Sequence, residues 1–332
     1  MEILLVRFSS MGDVILTTPV LRAIRARHPA ARITVVVRDD FADLLAHNPR
    51  VDRLVRWPHR APLQTLAATL RTTAWTHRID LQGSLRSRRL RRLVGGRWAT
   101  YPKHRIRRTL LIASRRRLGG SLGPVVERYA QAAAALDITL DDRPAELFTS
   151  VEAEQAAERF LAERGLGRVR RLVALVPGAA HFTKRWPEGH WSALIGELVA
   201  ANDVVILGGP AERALGERLA AQGGAAAASA AGQGGLLFSA ALLRRAAVVA
   251  SGDTGLLHVA TAVGTPVIGL YGPGVEEFGF FPWRAAARVL QQDLACRPCS
   301  AHGSARCPLG HLDCLRLTTP DQVLAALAKP PR

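Results

Sequence analysis

The sequence predicts an α/β protein of two Rossmann-like halves, each built on a mostly parallel sheet. Three observations carry that expectation. The chain opens as strand, glycine turn, helix, strand, which is how a parallel α/β sheet begins. The same alternation restarts near Leu172. And 332 residues, 48% of them hydrophobic and 22% charged, exceed one typical core of about 150 residues and suit two.

In chain order, Ile3 to Phe8 is an apolar run of buried-strand type. Ser9-Ser10-Met11-Gly12-Asp13 makes a turn, and Val14 to Arg27 has helical spacing with Pro19 as a kink or restart. Ile33–Val37 is a second strand, with weaker ones near Arg53–Arg56 and His77–Leu81. An arginine-rich stretch of helix and loop follows, then helices over Pro124–Leu136 and Ala153–Arg164. Gly165-Leu166-Gly167 reads as the linker, so the expected domains are 1–164 and 168–332.

The second half runs strand Leu172–Val176, helix Trp191–Ala201, strand Val204–Leu207 and helix Ala211–Gln222. Gly223–Gly235 is a small-residue loop with little pattern. Helix Leu236–Arg245, strand Ala247–Ala250, helix Leu256–Val263 and strand Pro266–Tyr271 follow, and a helix near Pro320–Leu327 could pack on either half.

The net charge is +18, and only Lys103, Lys184 and Lys329 are lysines. An alanine- and arginine-rich composition points to GC-rich coding, yet the charge is uneven. From Arg86 to Arg117 there are twelve arginines, one lysine and no acid. Such a block attracts polyanions: nucleic acid, acidic lipid or phosphorylated substrate. No basic–apolar leader and no window of ~18–20 apolar residues is present, so the expected location is the cytoplasm.

The strongest local motif is Ser251-Gly252-Asp253-Thr254-Gly255-Leu256-Leu257-His258, after a strand and opening a helix. A helix start offers unpaired N–H groups and a positive dipole end, which suits a pyrophosphate. Asp253 and Thr254 can cap it, Gly255 admits a phosphate, and His258 lies one turn in. An ordinary capped helix with a structural histidine fits equally. Thr183 and Lys184, in the loop that ends at Trp186-Pro187, sit where α/β sheets bind ligands, although Pro187 also suits a helix start. Glu212 could take ribose hydroxyls or simply begin a helix. Asp13 could serve as a general base or as a first-turn acid favoured by the helix dipole. With Gly12 the only glycine there, a G-x-G-x-x-G dinucleotide loop is excluded.

Cys296, Cys299, Cys307 and Cys314 lie together, with His302 and His311 among them. The composition is that of a structural zinc site, the spacing matches no common finger, and free thiols in a loop compete. A cytosolic location disfavours disulfides.

Taken in order, several of these motifs resemble the ADP-heptose:lipopolysaccharide heptosyltransferases, glycosyltransferase family 9. They are Ser9-Ser10-Met11-Gly12-Asp13-Val14, Val126-Glu127-Arg128-Tyr129, Lys184-Arg185-Trp186-Pro187, Asp253-Thr254-Gly255-Leu256-Leu257-His258 and Tyr271-Gly272-Pro273. The Cys307-Pro308-Leu309-Gly310-His311 stretch also looks like one found in a subset of these transferases. The resemblance implies a GT-B fold of two facing domains, the first for acceptor and the second for nucleotide sugar. It implies inverting, metal-independent transfer of a heptose from ADP-heptose to the lipopolysaccharide inner core, with no cofactor needed for catalysis. By motif match, Asp13 is the base and Lys184 supports the leaving group. Ser10, Gly12, Thr183, Glu212, Asp253, Thr254, Gly255, Leu256 and His258 bind substrate.

The implied partners are an ADP-sugar and a lipopolysaccharide or lipid-linked glycan, with contact to the anionic inner face of the inner membrane. Two alternatives remain: a relative using another nucleotide sugar or acceptor, and, from a different class, a basic nucleic-acid-binding protein. Against the second, no recognition motif is present and aromatics make up only 5% of the chain.

Overall fold

The computed structural model of the chain describes residues 1–115 and 122–331; Arg116 and Arg117 of the arginine run lie outside them. Its backbone forms two compact units. The first comprises Met1–His104 and Gly123–Phe148; the second comprises Arg105–Leu122 (described at 105–115 and Leu122) and Thr149–Arg332.

The first unit carries five parallel strands, β1 (Glu2–Val6), β2 (Arg32–Arg38), β3 (Arg53–Trp57), β4 (His77–Asp80) and β5 (Ala99–Thr100). Their order is β3-β2-β1-β4-β5, with Leu5 opposite Val35 on one side and Ile79 on the other. A central parallel strand is covered on both faces, which is why Ile3–Val6 is continuously apolar and buried. Leu4, Val6, Val36, Trp57, Leu66, Leu70 and Leu90 belong to one core. The helical run after β1 does break at the proline. Helix Met11–Ile15 ends, and helix Thr18–Arg27 restarts with Pro19 in its first turn, where a missing N–H costs nothing.

The second unit carries β6 (Arg171–Val176), β7 (Asn202–Ile206), β8 (Ala227–Ser229), β9 (Val248–Gly252), β10 (Val267–Tyr271) and β11 (Ala287–Gln291). They pair in parallel in the order β11-β10-β9-β6-β7-β8. Val173, Leu175, Trp191, Ile195, Val204, Ile206, Ile268 and Val323 anchor its core. The C-terminal helix Pro320–Ala328 packs on helix Glu188–Leu198 and on β9 and β10, so it belongs to this unit.

The division falls between Phe148 and Thr149 rather than at the expected 164–168. Helix Val151–Glu163 packs on helix Gly235–Arg245, with Phe160 edge-on to Phe238 at 5.6 Å and Glu154 paired to Arg245. Gly165 and Gly167, read as a linker, are left-handed turns that bury Leu166 within the second unit. The Pro124–Leu136 expectation resolves into helix Val125–Ala132 and a 3-10 turn, Ala134–Leu136. No helix among the described residues is long and apolar enough to cross a membrane.

Candidate functional site

In each sheet the strand order reverses beside its first strand, between β1 and β4 and between β6 and β9. Ligands of open α/β sheets bind outside the carboxyl ends of the strands at such a reversal. The loops after β1, β6 and β9 carry most of the residues expected from sequence.

In the first unit, Asp13 stands in the first turn of helix Met11–Ile15. Its Oδ2 accepts hydrogen bonds from the Ser10 backbone N–H at 3.2 Å and the Ser10 hydroxyl at 2.8 Å. Its Oδ1 meets the Arg7 guanidinium at 2.5 Å and accepts from the Tyr129 hydroxyl at 3.1 Å. Arg7 is 5% exposed and Asp13 18%. Burial alone would push the Asp13 carboxyl up. The Arg7 charge and the Ser10 and Tyr129 donors outweigh it, so Asp13 titrates below the usual carboxylate range. Burial raises the Tyr129 phenol far above its usual value, so it stays a neutral donor.

The loop that carries this acid is fixed from β4. Asp80, fully buried, accepts from the backbone N–H groups of Gln82 and Gly83, both at 2.9 Å, and from the Ser87 hydroxyl at 2.9 Å. Gln82 Oε1 in turn accepts from the N–H groups of Phe8 at 2.9 Å and Ser9 at 3.1 Å. Arg7 also donates to the Leu81 carbonyl. Asp13 caps its own helix through Ser10 and is an ionised, partly open carboxylate at a switch point. Gly12 is buried, and Ser10 is exposed.

In the second unit, the Lys184 ammonium lies 2.6 Å from Asp253 Oδ2. This pair joins the loop after β6 to the loop after β9 across the strand reversal. Two glycines permit the approach: a Cβ on Gly252 would meet the Lys184 carbonyl at 3.0 Å, and one on Gly272 the Thr183 carbonyl at 2.7 Å. Thr254 precedes helix Gly255–Ala262 in extended conformation and gives its first turn no side-chain cap. The amides of Gly255 and Leu256 therefore face forward without helical acceptors. His258 is buried one turn in.

Two further expected site residues, Thr183 and Glu212, make contacts within the protein. Thr183 is buried; its hydroxyl accepts from Ser304 N–H at 2.8 Å and bonds the Ser304 carbonyl at 3.2 Å. It fastens the loop rather than presenting a donor. Glu212 caps its own 3-10 turn through Gly209 N–H at 2.9 Å. Its side chain lies over Gly178, where a Cβ would come within 2.2 Å of Glu212 Cγ. It also lines a cavity of about 320 Å³ with Pro177, Gly178, Trp186 and Leu215.

Arg7, Tyr129 and Gln82 were not singled out as site residues from the sequence. Arg7 left a signal, a lone charge inside the apolar run Ile3–Phe8. Gln82 left none.

The four cysteines are reduced, with Cys314 buried and the others half-buried. Burial, then the nearby Cys299 sulfur, pushes the Cys314 thiol up to about 11. Burial opposes ionisation of Cys307, but the backbone amides of Leu309 to Leu312 outweigh it and draw the thiol down. Among the described residues, no three His, Cys, Asp or Glu side chains are arranged to enclose a metal ion. His311 Nδ1 instead accepts from the Asp313 N–H at 2.9 Å.

Comparison with known proteins identifies the family. The profile of glycosyltransferase family 9 (heptosyltransferase) matches residues 63–309, more than half of the chain. The chain belongs to this family. Lipopolysaccharide heptosyltransferase 1 of Pseudomonas aeruginosa is 31% identical to this family 9 member over 317 residues, 90% of this chain and 86% of that protein. The glycosyl transferase family 9 structure from Veillonella parvula superposes with a TM-score of 0.82 at 22% identity, covering 98% of this chain and 96% of that one. ADP-heptose LPS heptosyltransferase II of E. coli gives 0.76 at 24%, covering 99% and 98%. These two structures share the fold, which is GT-B-like with two parallel-sheet α/β units. As a family 9 member the chain is a glycosyltransferase of heptosyltransferase type, and neither alternative drawn from its sequence is favoured.

Proposed function

We propose that this transferase moves a heptose from ADP-heptose to the inner core of lipopolysaccharide, with inversion and without a catalytic metal. The observation that carries the reading is the Lys184–Asp253 pair at the uncapped start of helix Gly255–Ala262. A diphosphate would meet one ammonium and the Gly255 and Leu256 amides, with Asp253 and Thr254 beside the sugar and His258 behind. Lys184 and the helix start would stabilise the charge that grows on departing ADP, the task a metal performs in other transferases. Glu212, at the wall of its cavity, would take the ribose hydroxyls, and Thr183 would hold the loop in place.

Asp13 would be the base. Its depressed pKa keeps it ionised at neutral pH. A carboxylate this stabilised is weak in the ground state, but an acceptor hydroxyl turns acidic as it bonds to the anomeric carbon, and the proton then passes to Asp13. The approach is on the side of Oδ2, where the exposed Ser10 hydroxyl would give way; Gly12 keeps the turn narrow. Attack on one face and loss of ADP from the other inverts the centre. The protein would work in the cytoplasm at the inner face of the inner membrane. Cys296, Cys299, Cys307 and Cys314 would hold a structural zinc only if their side chains turn inward, and elemental analysis finding neither zinc nor iron removes that part.

The test is incubation of the purified protein with ADP-heptose and lipopolysaccharide acceptors truncated at successive core sugars, read by product mass. One added heptose with release of ADP is expected. Transfer from UDP- or GDP-sugars alone would overturn the donor assignment.

A further inference from the structure

The cysteine-rich stretch after β11 reaches both loops around the Lys184–Asp253 pair. On one side Arg297, 2% exposed, spreads its guanidinium over the turn that follows β10. Its Nε donates to the Gly272 carbonyl at 2.5 Å and its Nη2 to the Gly274 carbonyl at 2.6 Å. Nη2 also donates to Gln291 Oε1 at 2.9 Å, and Nη1 to the Gln292 carbonyl, which ties the turn to the end of β11. Gly274 in turn abuts the acid. A Cβ there would lie 3.1 Å from Asp253 Oδ2, the oxygen that meets Lys184 at 2.6 Å. On the other side Ser304 bonds Thr183, the residue before Lys184, through both its N–H and its carbonyl. Gly303 permits that approach, since a Cβ on it would meet His181 Cβ at 2.8 Å.

A buried guanidinium is a costly way to hold a turn. Its desolvation is offset only where its N–H groups find acceptors in the right directions. What it offers is a planar, rigid fork, which flexible donors lack. One group fixes the Gly272 and Gly274 carbonyls relative to each other and to the end of β11. Those carbonyls flank Pro273, so the turn keeps little freedom. What the turn bears on is Asp253 Oδ2. A misplacement of about 1 Å in a substrate-positioning group can cost about 10²-fold in rate.

We propose that Arg297 is a positioning residue for the donor site. By holding the Gly272–Gly274 turn it sets the place of Asp253, and through Asp253 that of the Lys184 ammonium, while Ser304 steadies the opposite loop. It acts through these groups and not on the substrate. The proposal rests on ADP meeting Lys184, and it gives the cysteine-rich stretch a role in donor binding that does not depend on its thiols.

Calorimetric titration with ADP tests it in a double-mutant cycle of Arg297→Lys and Lys184→Ala. Lysine keeps the charge, but a single ammonium cannot reproduce the fork that spans both carbonyls. Arg297→Lys should weaken ADP binding at least about tenfold when Lys184 is present. Where Lys184 is already alanine the loss should fall below about threefold, because both residues act through one pair. The acceptor KM of Arg297→Lys should stay within about twofold of wild type, since the change is confined to the donor side. A merely structural role would give the same loss in both backgrounds. Gly274→Ala presses on Asp253 Oδ2 from within the turn and leaves Arg297 in place. It should weaken ADP binding at least about threefold, and it carries the test if thermal unfolding shows that Arg297→Lys does not fold. Wild-type ADP affinity in folded Arg297→Lys, or in Gly274→Ala where the lysine variant is unfolded, would overturn the proposal, as would equal losses in both backgrounds. Wild-type protein that binds no ADP would overturn the donor reading and this proposal together, so the two failures are separately visible.

Discussion

Arg7→Met removes the positive charge beside Asp13 while keeping much of the side chain's bulk. The guanidinium–carboxylate contact is 2.5 Å. Unit charges centred about 4 Å apart attract by about 4 kcal/mol at an effective dielectric of about 20, equivalent to roughly 3 pKa units. Ser10 and Tyr129 continue to donate to Asp13, and partial exposure screens the pair, so the expected rise is about 1–3 units. In the wild type, the Asp13 pKa is lower folded than unfolded. Between those two values the unfolded chain binds more protons, so stability rises with pH there and is lost as pH falls through the folded value. In Arg7→Met, burial is no longer outweighed, and that contribution shrinks or changes sign. The acid limb of kcat/KM for transfer should move up by about 1–3 pH units, and the variant should lose about 2–4 kcal/mol of stability at neutral pH. Arg7→Lys, which keeps the charge, should hold the limb near wild type. An acid limb that stays in place in Arg7→Met, in a folded protein, would show that Arg7 does not set the state of Asp13.

Other expectations follow from single contacts. Tyr129→Phe deletes one donor to Asp13 Oδ1, so the acid limb should rise by about a unit or less; a shift as large as that of Arg7→Met would contradict the ranking of the two groups. Lys184→Ala should cut kcat/KM for the ADP-sugar by about 10²–10³-fold, and unchanged kinetics would remove its leaving-group role. Gly178→Ala places a methyl within 2.2 Å of Glu212 Cγ. Glu212 must swing away from Gly209, raising the donor KM and costing about 1–3 kcal/mol of stability; equilibrium unfolding and donor titration that match wild type would show the site tolerates the displacement.

Much of this architecture is legible in the sequence, for reasons that differ by element. β1, β2, β6, β9 and β10 are apolar enough to stand out because both sheet faces are covered. β5, β8 and β11 are short or half-exposed edge strands with no such signature, and they lie within stretches that read as loop, as helix and loop, or without pattern. Asp13, Lys184 and the turn at Thr254 follow from where polar residues interrupt strand ends. What partners they have does not follow: Tyr129 reaches Asp13 from 116 positions away, and Ser304 engages Thr183 from 121. The domain boundary shifted because glycines around Leu166 mark turns as well as linkers, and only the packing of Phe160 on Phe238 tells which.

Asp13→Ala, measured in parallel for sugar transfer and for ADP affinity, bears most directly on the chemistry. Loss of the carboxylate paired with Arg7 should reduce product formation by at least about a thousandfold, while calorimetric titration with ADP stays within about twofold of wild type. A variant that still glycosylates the acceptor at an ordinary rate would mean that the proton leaves by another route.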